Sequence, residues 1–378
     1  MLGKMASPDG GPIIHVDVDD DRDSAVEDDN TSSTASVSSS ILNYREENGR
    51  TYHAYKDGRY YMPNDETENN RLDLQHNLFL LTFDNKLGLS PPNLPEFKTG
   101  RVLDLGTGTG IWAIDYADEH PESEVIGVDL SPIQPEFVPP NVKFEIDDID
   151  EEWTYSQPFD YIHSRMMNVS VKNWSEYIRK VFENLTPGGY AEFQDVDVLM
   201  QSDDNTLTED HALRKWGVLL AKAAQEHGTR FIETNRLSHL MTKVGFVEVK
   251  ETPFKWPTNR WPKERKYKEL GEWSNLNTSD LLEGLSMALF TRCLGWTPDE
   301  VRVFLIDVRK DLNNPKIHAY WSMYYSPTRY LSQCTDTLLV VQFTGGSLTF
   351  RDWMGRYQAG DQFHHQLNPV NFVEVEVT

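Results

Sequence analysis

Between residues 101 and 194 short apolar runs alternate with polar stretches of helix or loop character. The runs fall at 101–105, 124–129, 142–146, 159–163 and 189–194. Each is strand-sized, and the rhythm predicts a parallel sheet with right-handed crossovers, all strand C-terminal ends lying on one edge. Upstream, Tyr44 to Pro63 is rich in tyrosine and leads to a polar helix start at Asn64-Asp-Glu. An amphipathic run from Glu68 to Leu87 follows, with Leu72, Leu78, Phe79 and Phe83 at helical spacing. Downstream, two amphipathic helices are expected at roughly 278–294 and 298–312. No internal repeat is present.

The chemistry concentrates in Arg101 to Ala113, RVLDLGTGTGIWA. A strand closes on Asp104, glycines follow at 106, 108 and 110, and a helix begins near Ile111. Such a turn lets a ligand lie against bare backbone, and the helix start offers unpaired N–H groups. The next run, EVIGVDL, ends on Asp129, a carboxylate placed to grip ribose hydroxyls, with Leu130 beside it. A third run, VKFEIDD, closes on Asp147 and Asp148, poised for an adenine amino group, with Ile149 beside the ring. A tight turn with no ligand accounts for the glycines but not for carboxylates at three successive strand ends.

Two cofactors fit this pattern. Gly108-Thr-Gly110-Ile-Trp-Ala113 matches the dinucleotide fingerprint G-x-G-x-x-G/A, with Asp129 about 20 residues further on. Asp104, just before the glycines, would repel a pyrophosphate yet suits the ammonium of S-adenosylmethionine, which the pattern favours. Pro187-Gly188-Gly189 before the fifth strand is a turn common in methyltransferases and not required by a dehydrogenase.

The segments DLGTGTGIWAIDYA, GVDLSPIQP, PPNVKFEIDDIDEEW, FDYIHSRMM and LTPGGYAEFQDVD resemble the LaeA-like fungal methyltransferases. These are class I S-adenosylmethionine enzymes whose namesake is a nuclear regulator of secondary metabolism. The resemblance runs from about Tyr44 to Tyr320, is specific for the family, and leaves the acceptor open. It implies an α/β fold: a Rossmann-like sheet of parallel strands with an antiparallel last strand, helices on both faces, and an N-terminal helical lid. It makes Tyr60, Arg71 and His76 of the lid cofactor or substrate contacts, the alternative being plain core packing with His76 a surface histidine. The acceptor would approach beside His163-Ser164-Arg165-Met166. His163 could serve as a general base near its ordinary pKa of ~6.5, or contribute only backbone to the cofactor pocket. An Asn-Pro-Pro-Tyr motif, typical of methylation at planar nitrogens, is absent there. The chain holds no HExxH, Ser–His–Asp signature or P-loop.

The family ends on a final apolar strand, and here the likeness stops after Ile317-His-Ala-Tyr-Trp321. The expected organisation is therefore a tail over 1–43, a lid segment over 44–90, the methyltransferase domain over 91–325, and an atypical tail over 326–378. Ile317 to Tyr325 would form a shortened last strand, with Leu338 to Phe343 apolar enough to compete for its place.

Composition narrows the rest. Net charge is −24, of which residues 1–40 carry −7, from nine acidic and two basic side chains. With its acidic run at Asp17 to Asp29 and the Ser/Thr stretch after it, this tail reads as disordered. The acidic remainder argues against direct nucleic-acid binding. Against it, Lys255 to Lys268 holds six basic residues, one acidic residue and two tryptophans, read as a solvated loop or a contact for an acidic partner. Cys293 and Cys334 supply neither a disulfide framework nor metal spacing, so no metal is expected. No apolar stretch reaches membrane length and the N-terminus lacks an apolar signal core, so the chain reads as intracellular, cytoplasmic or nuclear. The expected partners are a small-molecule or protein methyl acceptor and a regulatory protein.

Overall fold

The structure is a computed structural model that describes residues 40–229 and 231–331, with the backbone of two short strands at 341–343 and 346–348. The chain enters through a small antiparallel hairpin, β1 (Arg45–Glu47) and β2 (Arg50–Tyr52), then α1 (Glu66–Thr82). Asp65 caps α1 by accepting from the Glu68 N–H at 3.1 Å. Strands and helices then alternate: β3 (Arg101–Leu105), α2 (Ile111–Glu119), β4 (Glu124–Asp129), β5 (Val142–Ile146), β6 (Phe159–Arg165), α3 (Trp174–Glu183) and β7 (Leu185–Val196). The second half adds α4 (Ala212–His227), α5 (Leu237–Val244), β8 (Thr252–Pro257), α6 (Arg265–Cys293), α7 (Pro298–Leu312) and β9 (Tyr320–Arg329).

Seven strands form one sheet in the order β5-β4-β3-β6-β7-β9-β8. The first five pair in parallel, and β9 inserts antiparallel between β7 and β8. From β3 the chain steps outward to β4 and β5, then returns to β6 on the other side of β3. That reversal opens a crevice at the strand C-terminal ends, where ligands of such sheets bind. The sheet is packed by helices on both faces. One core gathers α1, α4, α6 and α7 around Phe79, Trp216, Phe290 and Leu305. Another packs Tyr177, Ile178 and Val181 of α3 and Met241 of α5 against Ile162 and Phe193. Helix starts are well specified: Thr297 and Glu300 form a reciprocal capping box for α7, with Pro298 at its first position.

Four expectations are corrected here. The last strand is not cut short at Tyr325. It runs to Arg329, with Ser326, Pro327, Thr328 and Arg329 opposite Phe193, Glu192, Ala191 and Tyr190, so the sheet extends past the boundary expected at 325. Proline is tolerated there, and Ser326 and Thr328 are buried. The described part of the Leu338–Phe343 run does not take that place: the backbone of β10 (Val341–Phe343) pairs with β11 (Gly346–Leu348) in a separate hairpin. Residues 338–340, the remainder of 326–378 beyond Leu331, and the tail over residues 1–39 lie outside the described residues.

The helix expected at 278–294 begins at Arg265 and is 29 residues long. Lys255 to Lys268 is correspondingly a loop only over residues 258–264, which join the end of β8 to the start of α6. Its cations are partly neutralised within the chain, Lys255 by Asp203, Arg260 by Glu272 and Lys266 by Asp84.

The fourth correction concerns α1, which is neither a simple lid nor a one-sided amphipathic helix. Leu78 and Phe79 are fully buried, and Phe79 meets Trp256 of β8 edge-on at 4.9 Å. Yet Glu68, Arg71, Gln75 and His76 are buried as well. The helix is core on one side and wall of the crevice on the other.

Candidate cofactor site

The crevice is a cavity of about 1460 Å³ including its mouth, walled by the ends of β3, β4 and β6, the hairpin-to-α1 segment, and α6. The glycine turn forms its floor. Gly106, Gly108 and Gly110 all have positive φ, at 69°, 59° and 81°. At Gly110 a Cβ would sit 2.3 Å from the Phe144 ring, and at Gly106 one would meet Met167 Sδ at 2.6 Å. The turn is thus close-packed from below as well as left-handed, and only glycine satisfies both demands.

Asp129 holds this turn from the end of β4. Its two carboxylate oxygens accept from the Gly108 N–H at 2.9 Å and the Ser131 N–H at 3.0 Å. A carboxylate can accept about four hydrogen bonds, so capacity remains toward the cavity. Burial pushes the Asp129 pKa up, countered by the Ser131 and Gly108 donors. Vicinal hydroxyls are the partners such a group takes without losing its charge.

Asp104 and His163 meet across the β3–β6 register. His163 Nδ1 lies 2.7 Å from one Asp104 oxygen, and the Thr107 hydroxyl donates to the other at 2.6 Å. Trp112 of α2 stacks on the imidazole at 3.7 Å between centroids. His163 is 1% exposed and its Nε2 has no hydrogen-bond partner among the described residues. Burial lowers its pKa, opposed by the Asp104 hydrogen bond. The neutral ring therefore gives Nδ1–H to Asp104 and keeps an unshared pair at Nε2.

At the adenine end, Asp147, Asp148 and Ile149 all line the cavity. Asp148 is largely committed: Arg59 Nε lies 2.7 Å from it and the Asp150 N–H donates at 3.0 Å. Among the described residues Asp147 accepts only the Asp148 N–H, at 2.7 Å, and is the freer acceptor. Leu130, Tyr60, Arg71, His76 and Arg165 line the cavity too. Burial raises the pKa of Tyr60. Arg71 is tied to Glu68 at 2.7 Å and to Asn277 of α6 at 2.8 Å. His76 is 3% exposed, not a surface histidine, and bonds Asp115 at 2.9 Å. The structure thus brings the site residues singled out from the sequence into one crevice, except Gly110, which lies against the Phe144 ring and does not line the cavity. Sequence reasoning missed Arg59, one position before Tyr60, and Leu281 and Leu285 of α6, whose spacing of four carries them onto one cavity-facing side.

Among the described residues no cluster of three or more His, Cys, Asp or Glu could hold a metal, and no helix is long and apolar enough to cross a membrane.

A half-buried carboxylate at the end of β4, a left-handed glycine turn and acidic strand ends in one reversal crevice fit a nucleoside-cofactor protein of the doubly wound α/β class. Comparison with known sequences specifies it. Residues 74–251 match the family model described as a methyltransferase domain. The methyltransferase pytC of Aspergillus terreus is 38% identical over 82% of this chain and 94% of its own length. The secondary metabolism regulator LAE1 of Cochliobolus heterostrophus is 40% identical over 77% of this chain and 95% of its own. The regulator laeA of Aspergillus flavus is 37% identical over 75% and 77% respectively. The chain belongs to this LaeA-like family of fungal S-adenosylmethionine-dependent methyltransferases.

Proposed function

We propose that this crevice binds S-adenosylmethionine along the edge from β3 to β5 and presents its methyl group beside the end of β6 to an acceptor in fungal secondary metabolism or its regulation. The observation that carries the reading is Asp129, a half-buried carboxylate that pins the glycine turn from the cavity edge with acceptor capacity left over. Gly106 and Gly108 leave room for the methionyl end, Asp129 takes the ribose hydroxyls, and Asp147 with Ile149 takes adenine. Asp104 faces the ammonium as part of a cluster with Thr107 and His163. When bound, the sulfonium supplies an activated methyl group, and transfer is an in-line displacement that rewards orientation and exclusion of water. The chain supplies both through its buried walls. His163 Nε2 is the group here able to accept an acceptor proton, and Asp104 holds that tautomer.

The relatives' names favour a second reading alongside the first. Two of them are regulators, so this chain would act through a protein partner, in the cytoplasm or nucleus, with little turnover. One experiment separates the readings. Purified protein is incubated with methyl-labelled S-adenosylmethionine and extract from a strain lacking the gene. Labelled product supports the enzyme; cofactor binding without label, together with a co-purifying protein, supports the regulator. Calorimetry showing NAD binding and none of S-adenosylmethionine would remove both.

A further inference from the structure

Three arginines line the cavity, and they differ in one respect. Arg59 is paired with Asp148 and Asp150, and Arg71 with Glu68. Arg165, at the end of β6, has no carboxylate within ion-pair reach among the described residues. Its Nε donates to the Gln194 side-chain oxygen at 2.8 Å, Nη1 to His76 Nδ1 at 3.1 Å and Nη2 to the Leu87 carbonyl at 3.3 Å. Phe79 covers one face of the guanidinium at 4.3 Å. None of these partners is a carboxylate, and Asp104, Glu192 and Asp115 act on the guanidinium only from beyond contact, so the positive charge is oriented but not paired.

His76 shows how that orientation is held. Its Nε2 faces the Asp115 carboxylate at 2.9 Å, and its Nδ1 faces Arg165. A neutral ring can serve both only with the proton on Nε2, leaving Nδ1 to accept. Asp115 thereby sets the tautomer of His76, and His76 sets the position of Arg165. Of the five guanidinium N–H groups, three are accepted. One on each terminal nitrogen remains, the pairing that a two-oxygen anion takes. A cation removed from water without a counter-charge is costly, and burial lowers the pKa of Arg165 to about 10.

Position points to the anion. Arg165 lies two residues beyond His163 on one strand, so both side chains project from the same face of β6. His163 is bonded to Asp104, the group that faces an ammonium. A cation and an anion on one side of adjacent strand ends suit the two charges of an amino-acid zwitterion.

We propose that Arg165 is the carboxylate receptor of the pocket, positioned by His76 and Gln194. The inference rests on the cofactor reading above. Its carboxylate comes from the amino-acid end of the cofactor or from an acidic acceptor.

Calorimetry on the full chain distinguishes these. The wild type is titrated with S-adenosylhomocysteine, its decarboxylated analogue and methylthioadenosine, which lacks the amino-acid end. With the cofactor as source, the wild type prefers S-adenosylhomocysteine over the decarboxylated compound by about tenfold or more. Arg165→Met erases that preference and leaves methylthioadenosine binding unchanged, which also reports an intact pocket. With the acceptor as source, the preference survives in Arg165→Met, but benzoate binding to the S-adenosylhomocysteine-loaded wild type is lost in the variant. A preference unchanged by the substitution, with benzoate behaving alike in both proteins, overturns the proposal. If Arg165→Met does not fold, Arg165→Lys is read the same way: charge is kept and the fork lost, so the preference falls severalfold, and an undiminished one refutes a forked contact. Failure of the wild type to bind methylthioadenosine would instead remove the cofactor reading itself.

Discussion

Trp112 lies flat on His163, their ring planes within 6° of each other and their centroids 3.7 Å apart. The indole N–H is fixed at its other end by the Leu87 carbonyl at 3.1 Å. One tryptophan therefore joins the loop after α1, the first helix of the sheet domain, and the histidine of the site.

Trp112→Ala is expected to cost about 3–5 kcal/mol, the usual range for truncating a buried tryptophan. Trp112→Phe should cost less, keeping most of the stack but losing the hydrogen bond to Leu87. Urea unfolding monitored by circular dichroism checks both. A cost for Trp112→Ala below that of Trp112→Phe would show that the indole is not a structural joint.

Asp129→Ala should weaken S-adenosylhomocysteine binding at least about tenfold, since a charge-assisted contact contributes roughly 1.5–3 kcal/mol. It should also lower the melting temperature, because the Gly108 and Ser131 N–H groups lose their acceptor. Calorimetry and a thermal melt on the same sample separate the two effects. An unchanged dissociation constant in a folded variant contradicts the ribose assignment.

Asp195 is fully buried on β7 and accepts from the Asn168 and Met167 N–H groups. Burial raises its pKa to about 7. The folded chain therefore binds this proton in a range where the unfolded chain has released it. That contribution to stability is present below the unfolded value near 4 and is lost as pH rises through about 7. Asp195→Asn removes the titration. Its stability relative to wild type should climb between about pH 4 and pH 7, by up to about 1.4 kcal/mol per unit. Denaturant midpoints across that window test it, and a flat difference would contradict the shift.

Arg59 ties the segment after the hairpin to the adenine end of the crevice, together with the neighbouring Lys56–Glu151 pair. Arg59→Ala should lower the melting temperature and quicken hydrogen exchange over residues 53–62. It also frees Asp148, which stays buried without its cation. Unaltered exchange there would mean that the segment is held by Tyr60, Tyr61 and His53 alone.

How legible all this was in the sequence varied by element. The runs behind β3, β4 and β5 match the structure to the residue, because each is an apolar stretch stopped abruptly by glycine or aspartate. β7 reads as a six-residue run and is twelve residues long. Its extra length includes Asp195, and its middle holds Glu192 and Gln194, all fully buried. Glu192 is satisfied by Ser90, Asn93, Tyr161 and Gln194, partners up to a hundred residues away in sequence. No local pattern signals such burial. The first half of α6 was hidden for the same reason: Ser274, Asn277 and Thr278 are polar yet buried, and Asn277 receives Arg71 from α1. The crevice was easier to read than its walls, since its carboxylates and glycines sit at strand ends, where apolar runs stop.

The place of β9 has a consequence for synthesis. Among the described residues β8, at 252–257, pairs with no strand but β9, which emerges some sixty residues later. Until Tyr320–Arg329 has left the ribosome, both β8 and the outer side of β7 expose unpaired backbone, and the fold waits on a contact of long sequence separation. Meanwhile β8 is guarded by its own composition. Pro253 and Pro257 lack a donor and Lys255 carries charge, features that discourage pairing with a foreign strand. The nascent chain thus carries a protected docking edge for the strand that completes the seven-stranded sheet, whose assembly is timed by the arrival of residue 329.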